Sequence, residues 1–185
     1  MRVISGTARG KRLSALEGLE TRPTLDRVKE SVFNILQFNL KGARILDLFS
    51  GSGALGIEAL SRGAKEAVLC DNSNKAIQII NKNLIDTRLE NKAKVINKNY
   101  IDCLNQMYNE VKRFNIIFLD PPYKTNYAIN AVEQILEYNL LEKDGIIIIE
   151  TDDKNKIDEI KKNNKIEVYD ERKYGTVFII FVRKG

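Results

Sequence analysis

From residue 44 onward the chain alternates short apolar runs with amphipathic stretches, and this alternation restricts the fold more than any other feature. Residues 44–49, 67–71, 94–97, 116–120 and 145–150 are brief apolar runs, rich in Ile, Leu and Val, as expected of strands buried on both faces. Residues 54–62, 73–85, 100–112, 127–138 and 154–162 repeat apolar side chains at helical spacing; Ala76, Ile77, Ile80 and Leu84 share one face of the second. Strands linked through a helical crossover pair in parallel, whereas antiparallel neighbours need only a tight turn. The alternation stops at the C-terminus, where residues 166–173 and 176–182 are two strand patterns meeting near Tyr174-Gly175. The expected architecture is α/β, a mostly parallel seven-stranded sheet with an antiparallel C-terminal hairpin.

The 185 residues suit a single domain, with residues 1–40 as an N-terminal extension. Residues 2–5 and 11–14 can pair as a small hairpin around Ala8-Arg9-Gly10. A helix is expected next, with Thr24 as its cap and Val28, Val32, Ile35 and Leu36 on one face, running to about Phe38.

Composition removes several kinds of chemistry. With two cysteines and no histidine, the chain lacks the ligand set of a structural zinc site, and it lacks the base of Ser-His-Asp and Cys-His catalysis. No metal is expected, and Cys70 and Cys103, flanked by apolar residues, are expected to be buried. No apolar run approaches the roughly 20 residues of a membrane span, and the first residues carry no signal-peptide core, so a cytoplasmic protein with no membrane partner is expected. A monomer is the expected state. The net charge of +5 favours an anionic partner. Arg2, Arg9, Lys11 and Arg12 fall among Ser5, Gly6, Thr7 and Gly10 with no acid between them. They are candidates for phosphate contact, against the alternative of a solvated, charged tail.

The first strand pattern ends Asp47-Leu48-Phe49-Ser50 and enters Gly51-Ser52-Gly53-Ala54-Leu55-Gly56, a G-x-G-x-x-G set between strand and helix. Asp71 closes the next strand, where a carboxylate can accept from ribose hydroxyls. A dinucleotide or S-adenosylmethionine fits such a loop. A carboxylate at Asp47 sits poorly beside a pyrophosphate and well beside an ammonium and a sulfonium, which favours the second.

The fourth strand pattern runs into Asp120-Pro121-Pro122-Tyr123, which holds two of the chain's three prolines. Proline removes N–H donors, so carbonyl acceptors remain beside the Asp120 carboxylate, and Tyr123 adds an aromatic face. An exocyclic base amine needs this set, because its lone pair is delocalised and its two N–H groups require acceptors that hold it for attack.

These residues resemble known families. Asp47–Gly56 looks like the first motif of class I methyltransferases, and Asp120–Tyr123 looks like the [Asn/Asp]-Pro-Pro-[Tyr/Phe] motif of amino-directed ones. Arg22-Pro23-Thr24, Asp26-Arg27-Val28-Lys29-Glu30, Phe33-Asn34 and Lys173-Tyr174-Gly175 further resemble the bacterial RsmD family. That resemblance covers nearly the whole chain and implies a Rossmann-like class I methyltransferase acting on the N2 of a guanine in 16S rRNA of the small ribosomal subunit. It further implies that S-adenosylmethionine is held by Asp47, Ser50, Gly51, Gly53, Asp71, Asn99 and Tyr100, and the target amine by Asp120, Pro121, Pro122 and Tyr123. Arg22 and Thr24 would lie near the methionine end of the cofactor or the substrate entrance, although a helix cap with a solvated Arg explains them equally well, and Arg27 is a further candidate for substrate or RNA contact. Guanine N2 is reachable only in a loop or a flipped-out nucleotide, so the N-terminal basic residues are candidate RNA contacts. The competing readings are methylation of DNA adenine N6, DNA cytosine N4 or a protein glutamine, an NAD-dependent oxidoreductase, and a non-catalytic RNA-binding module.

Overall fold

The computed structural model describes residues 1–16, 23–122 and 124–185, without the side chains of residues 23–25. Seven strands, β1 (Arg44–Asp47), β2 (Glu66–Asp71), β3 (Ala93–Asn97), β4 (Phe114–Leu119), β5 (Leu141–Thr151), β6 (Ile166–Tyr174) and β7 (Val177–Lys184), form one sheet in the order β3-β2-β1-β4-β5-β7-β6. The first five are parallel, and β7 enters antiparallel between β5 and β6. This is the α/β sheet with a C-terminal hairpin that the pattern anticipates. Strand order reverses between β1 and β4, and ligands of open parallel sheets bind beyond the strand ends at such a reversal.

Helices α1 (Pro23–Ile35), α2 (Ala54–Ser61), α3 (Asn74–Thr87), α4 (Tyr100–Asn109), α5 (Tyr127–Glu137) and α6 (Lys154–Lys161) complete the architecture. Two apolar clusters lie on the two faces of the sheet. Val28, Val32 and Phe33 of α1 join Phe118, Ile148 and Ile179 in one, whereas Ile117, Ile147 and Ile149 belong to the other. Fully buried side chains such as Phe33 and Phe118, whose rings lie 5.7 Å apart, each contribute roughly 1.5–3 kcal/mol. The period of two along each strand thus decides which residues face α1.

Several boundaries differ from expectation. Helix α1 starts at Pro23, so Thr24 lies in its first turn rather than capping it; proline suits that position because its fixed φ is helical and its missing N–H would be unpaired anyway. Strand β1 stops at Asp47, where the Ser50 hydroxyl turns back to donate to the Asp47 carbonyl (2.7 Å). Strand β5 begins four residues earlier than its apolar run, at Leu141, which pairs with Phe114. The polar Glu142-Lys143-Asp144 hides this start because it lies at the solvated end of the strand.

The N-terminal segment is a hairpin, with an antiparallel bridge between Arg2 and Arg12. It is fastened to α2 by buried polar groups. The Glu58 carboxylate accepts from the N–H groups of Ile4 (2.8 Å) and Ser5 (3.0 Å), and it pairs with Lys29 (3.2 Å) and Arg62 (2.8 Å). Lys29 also donates to the Arg2 carbonyl at 2.6 Å. Gly6, at φ +85°, passes so close to α2 that a Cβ would lie 1.9 Å from the Ser61 carbonyl oxygen. Asn83 holds the exit of the hairpin, bonding Ser14 through both N–H and carbonyl while donating to the Ser52 carbonyl of the glycine loop. One wall of the site described next is therefore built from residues far away in sequence.

Candidate functional site

A cleft of about 810 Å³ opens beyond the carboxyl ends of β1, β2, β4 and β5. Its size falls within the roughly 300–1,000 Å³ of small-molecule sites. It has two halves, one around the glycine loop and one under α1.

In the first half, Gly51 (φ +56°) and Gly53 (φ +79°) adopt left-handed backbone that turns the chain from β1 into α2. The Asp71 carboxylate accepts from the N–H groups of Gly51 (2.8 Å) and Ser73 (2.9 Å), so it braces the loop while facing the cleft. Ser50 and Gly51 also line the cleft, as do Asn99 and Tyr100 at the start of α4. Asn99 caps that helix, accepting from the Asp102 N–H at 2.9 Å, so part of its amide is committed to the fold. Tyr100 packs on Tyr127 with ring centroids 4.9 Å apart, and Phe49 lies within 5.5 Å of Tyr100. The sequence reading missed Phe49 and Tyr127; no spacing links positions 49, 100 and 127, and only the fold gathers them.

Asp47 does not reach the cleft. It is 1% exposed beneath the loop, and its carboxylate accepts from the Gly56 N–H at 3.2 Å. Gly56 permits this packing, since a Cβ there would meet Leu69 at 2.6 Å. Burial pushes the Asp47 carboxyl up to about 7; the Gly56 N–H opposes the shift and the Asp71 charge adds to it. The electrostatic argument that set Asp47 beside a cationic ligand is corrected accordingly: this carboxylate supports the loop from behind. Gly53 is buried too, and caps α2.

In the second half, Asp120, Pro121 and Pro122 line the cleft at the end of β4, and Glu150 lines it at the end of β5. Phe118, Ile148 and Ile179 form its floor, with Val28 and Val32 of α1 opposite. Asp120 is exposed at the cleft. Desolvation by the protein around its carboxyl, then the Glu150 charge, then the Asp47 charge, raise that carboxyl well above the usual range. Tyr123 and Arg22 lie outside the described residues, as does the side chain of Thr24.

Arg2, Arg9, Lys11, Arg12 and Arg27 are all exposed. They lie outside the cleft lining, although Met1 and Val28, the chain neighbours of Arg2 and Arg27, belong to it. Cys70 and Cys103 are free and buried, and a hydrogen bond with the Cys103 thiol, then burial, raise the Cys70 thiol. Among the described residues no helix is long and apolar enough to cross a membrane.

Comparison with known proteins agrees with this geometry. A Bacillus subtilis protein described as an rRNA methyltransferase, YlbH, is 45% identical over 152 residues, covering 82% of this chain and 83% of that protein. Ribosomal RNA small subunit methyltransferase D of Haemophilus influenzae is 39% identical over 153 residues, covering 82% of this chain and 79% of the relative. A solved Escherichia coli structure described as a methyltransferase, yhhF, superposes with a TM-score of 0.86 at 31% identity, over 100% of this chain and 97% of that one. The model of the family described as conserved hypothetical protein 95 matches residues 1–183, and the chain belongs to that family, the RsmD group that its motifs resemble.

Proposed function

We propose that this chain methylates the exocyclic N2 amine of a guanine in 16S rRNA, using S-adenosylmethionine, with the small ribosomal subunit or an assembly intermediate as substrate. One observation carries the reading: the Asp120-Pro121-Pro122 turn opens into the same cleft as the glycine loop and Asp71. The relatives named as rRNA methyltransferases support the nucleic-acid substrate.

The residues present fit both reactants. Asp71 offers acceptor lone pairs suited to a ribose diol, and Tyr100 with Phe49 offers an aromatic surface beside it. S-adenosylmethionine, when bound, supplies an electrophilic methyl group. The chain's own part is positioning: the Asp120 carboxylate and the Pro121 carbonyl accept the two amine N–H groups and hold the nitrogen for attack. The raised pKa makes Asp120 a better proton acceptor than an ordinary carboxylate once the nitrogen has gained its methyl group. The exposed Arg2, Arg9, Lys11 and Arg12 provide contacts to the RNA backbone.

The test incubates the protein with methyl-labelled S-adenosylmethionine and either naked 16S rRNA, small subunits lacking the modification, or duplex DNA. Label recovered as N2-methylguanine from subunit RNA, and abolished by Asp120→Ala, supports the proposal. Label in DNA or in protein alone moves the substrate elsewhere, and no label in any arm removes the rRNA assignment.

A further inference from the structure

Glu150 is a cleft carboxylate that the chemistry above leaves unused. Its strand, β5, runs parallel to β4 with Leu119 opposite Ile149, so positions 120 and 150 leave the sheet side by side. Glu150 shares the strand face of Ile148, the face that packs against α1, and it pairs with Ile179 across the antiparallel β5–β7 ladder. Phe118, Ile148 and Ile179 therefore form an apolar floor beneath two adjacent carboxylates, with Val28 and Val32 overhead. A slot with apolar walls and acceptors at one rim suits a planar base inserted by its polar edge.

Base chemistry then separates the possible occupants. Adenine, cytosine and guanine all carry an exocyclic amine. In adenine and cytosine the neighbouring ring nitrogen on the pairing edge is an acceptor. In guanine it is N1–H, a donor. A second carboxylate beside the one that holds the amine attracts only the guanine edge, and it repels the lone pair of the other two.

We infer that Glu150 selects guanine by accepting its N1–H, while Asp120 and Pro121 hold the N2 amine. This rests on the amine-methylation reading above and adds the reason for guanine. Glu150 is a specificity residue here. It need not take up a proton during methyl transfer, because Asp120 is placed for that role. The Glu150 charge is among the causes that raise the Asp120 carboxyl, in keeping with the two lying side by side.

The test uses small subunits reconstituted with 16S rRNA bearing guanine, 2-aminopurine or 1-methylguanine at the methylation site mapped in the first experiment. 2-Aminopurine keeps the amine and has an unprotonated N1; 1-methylguanine has N1 blocked. Wild-type protein is expected to favour guanine over 2-aminopurine by roughly 10- to 100-fold in kcat/KM, the range for losing a hydrogen bond to a charged acceptor. Glu150→Gln is expected to narrow that ratio to a few-fold, since an amide N–H₂ can donate to the bare N1. It is also expected to move the acid limb of the rate profile to lower pH, because removing its charge lowers the Asp120 pKa. Equal wild-type rates on guanine and 2-aminopurine would overturn the inference without any variant. An unchanged ratio in a Glu150→Gln protein that binds S-adenosylmethionine normally would overturn it as well. Failure of the wild type to label even the guanine subunits removes the underlying rRNA reading, and the inference with it.

Discussion

The two halves of the cleft are built by opposite means. Around the glycine loop, the polar groups that line the cleft come from short contiguous stretches: Ser50 and Gly51 lie in the turn between β1 and α2, and Asp71 closes the adjacent strand, while the aromatic side chains of Tyr100 and Tyr127 are added from α4 and α5. Its polar groups are already bonded to one another, as when Asp71 accepts from Gly51 and Ser73. Under α1, by contrast, the site is assembled from β4, β5, β7 and a helix near the N-terminus, and its carboxylates repel each other. The first half is thus held by its own hydrogen bonds, whereas the second sets two carboxylates side by side above an apolar floor. A binding half and a reacting half should respond differently to substitution.

The largest separation is expected between Asp120→Ala and Asp71→Ala. Removing Asp120 should lower kcat by about 10²–10⁴ and leave S-adenosylmethionine affinity nearly unchanged, by analogy with the loss of a positioned acid–base group. Removing Asp71 should weaken that affinity by about 10- to 100-fold and leave most of kcat at saturation, since it deletes a charge-assisted hydrogen bond. Calorimetry with the methyl donor, alongside single-turnover methylation, reads both. If the two variants changed the same parameter, the division of the cleft would be wrong.

Asp47 sharpens the contrast through stability. Its pKa is pushed from 3.8 up to about 7 in the folded chain, so the folded state retains a proton that the unfolded chain gives up. Folding stability therefore falls as pH rises from about 4 to about 7. The whole shift amounts to roughly 4 kcal/mol, at 1.36 kcal/mol per pKa unit. Asp47→Asn keeps an oxygen for the Gly56 N–H and has no charge to bury. It should melt several degrees above the wild type at pH 8 and close to it at pH 4. Equal melting temperatures at pH 8 would show that the buried carboxylate is compensated in a way its neighbours do not reveal.

How much of this was legible in the sequence follows from the same division. The sheet, its order of elements and the glycine loop could be read because their signals are local: apolar runs alternating with stretches of helical spacing, and a G-x-G-x-x-G whose glycines make the tight turn between a strand and a helix. The Asp120-Pro121-Pro122 turn could be read because its chemistry is contiguous. Glu150 could not, since in sequence it is one acid among several near Asp152 and Asp153, and only the pairing of β4 with β5 sets it beside Asp120. The anchoring role of Glu58 was hidden for the same reason: its partners Ile4 and Ser5 lie more than fifty residues upstream. Asp47 was read correctly as a carboxylate before the turn but set on the wrong side of it. Which way a side chain faces at a strand end depends on how α2 packs over the loop, here through Gly56 against Leu69.

A smaller effect is expected from the acid limb of the rate profile. Methylation should rise with pH as Asp120 loses its proton, and the midpoint should lie above the ordinary carboxylate range. A profile flat from pH 5 to 8 would mean that Asp120 acts only as a hydrogen-bond acceptor through an oxygen available in both protonation states.

The smallest effects belong to the N-terminal hairpin. Arg2, Arg9, Lys11 and Arg12 are exposed on a segment that Glu58, Ser61 and Asn83 hold rigidly against α2 and α3. A rigid basic surface that contacts phosphates gains affinity from each charge by counterion release. Replacing Arg9 or Lys11 by Ala should weaken binding to small subunits only a few-fold, and each should lower the slope of log affinity against log salt by up to about 1. Gly6→Ala makes the informative control. It keeps every charge but drives a Cβ into the Ser61 carbonyl, so the hairpin must shift away from α2. If the surface works as a placed array, this variant should weaken subunit binding more than either single charge removal. If it works as diffuse charge, Gly6→Ala should bind as well as the wild type.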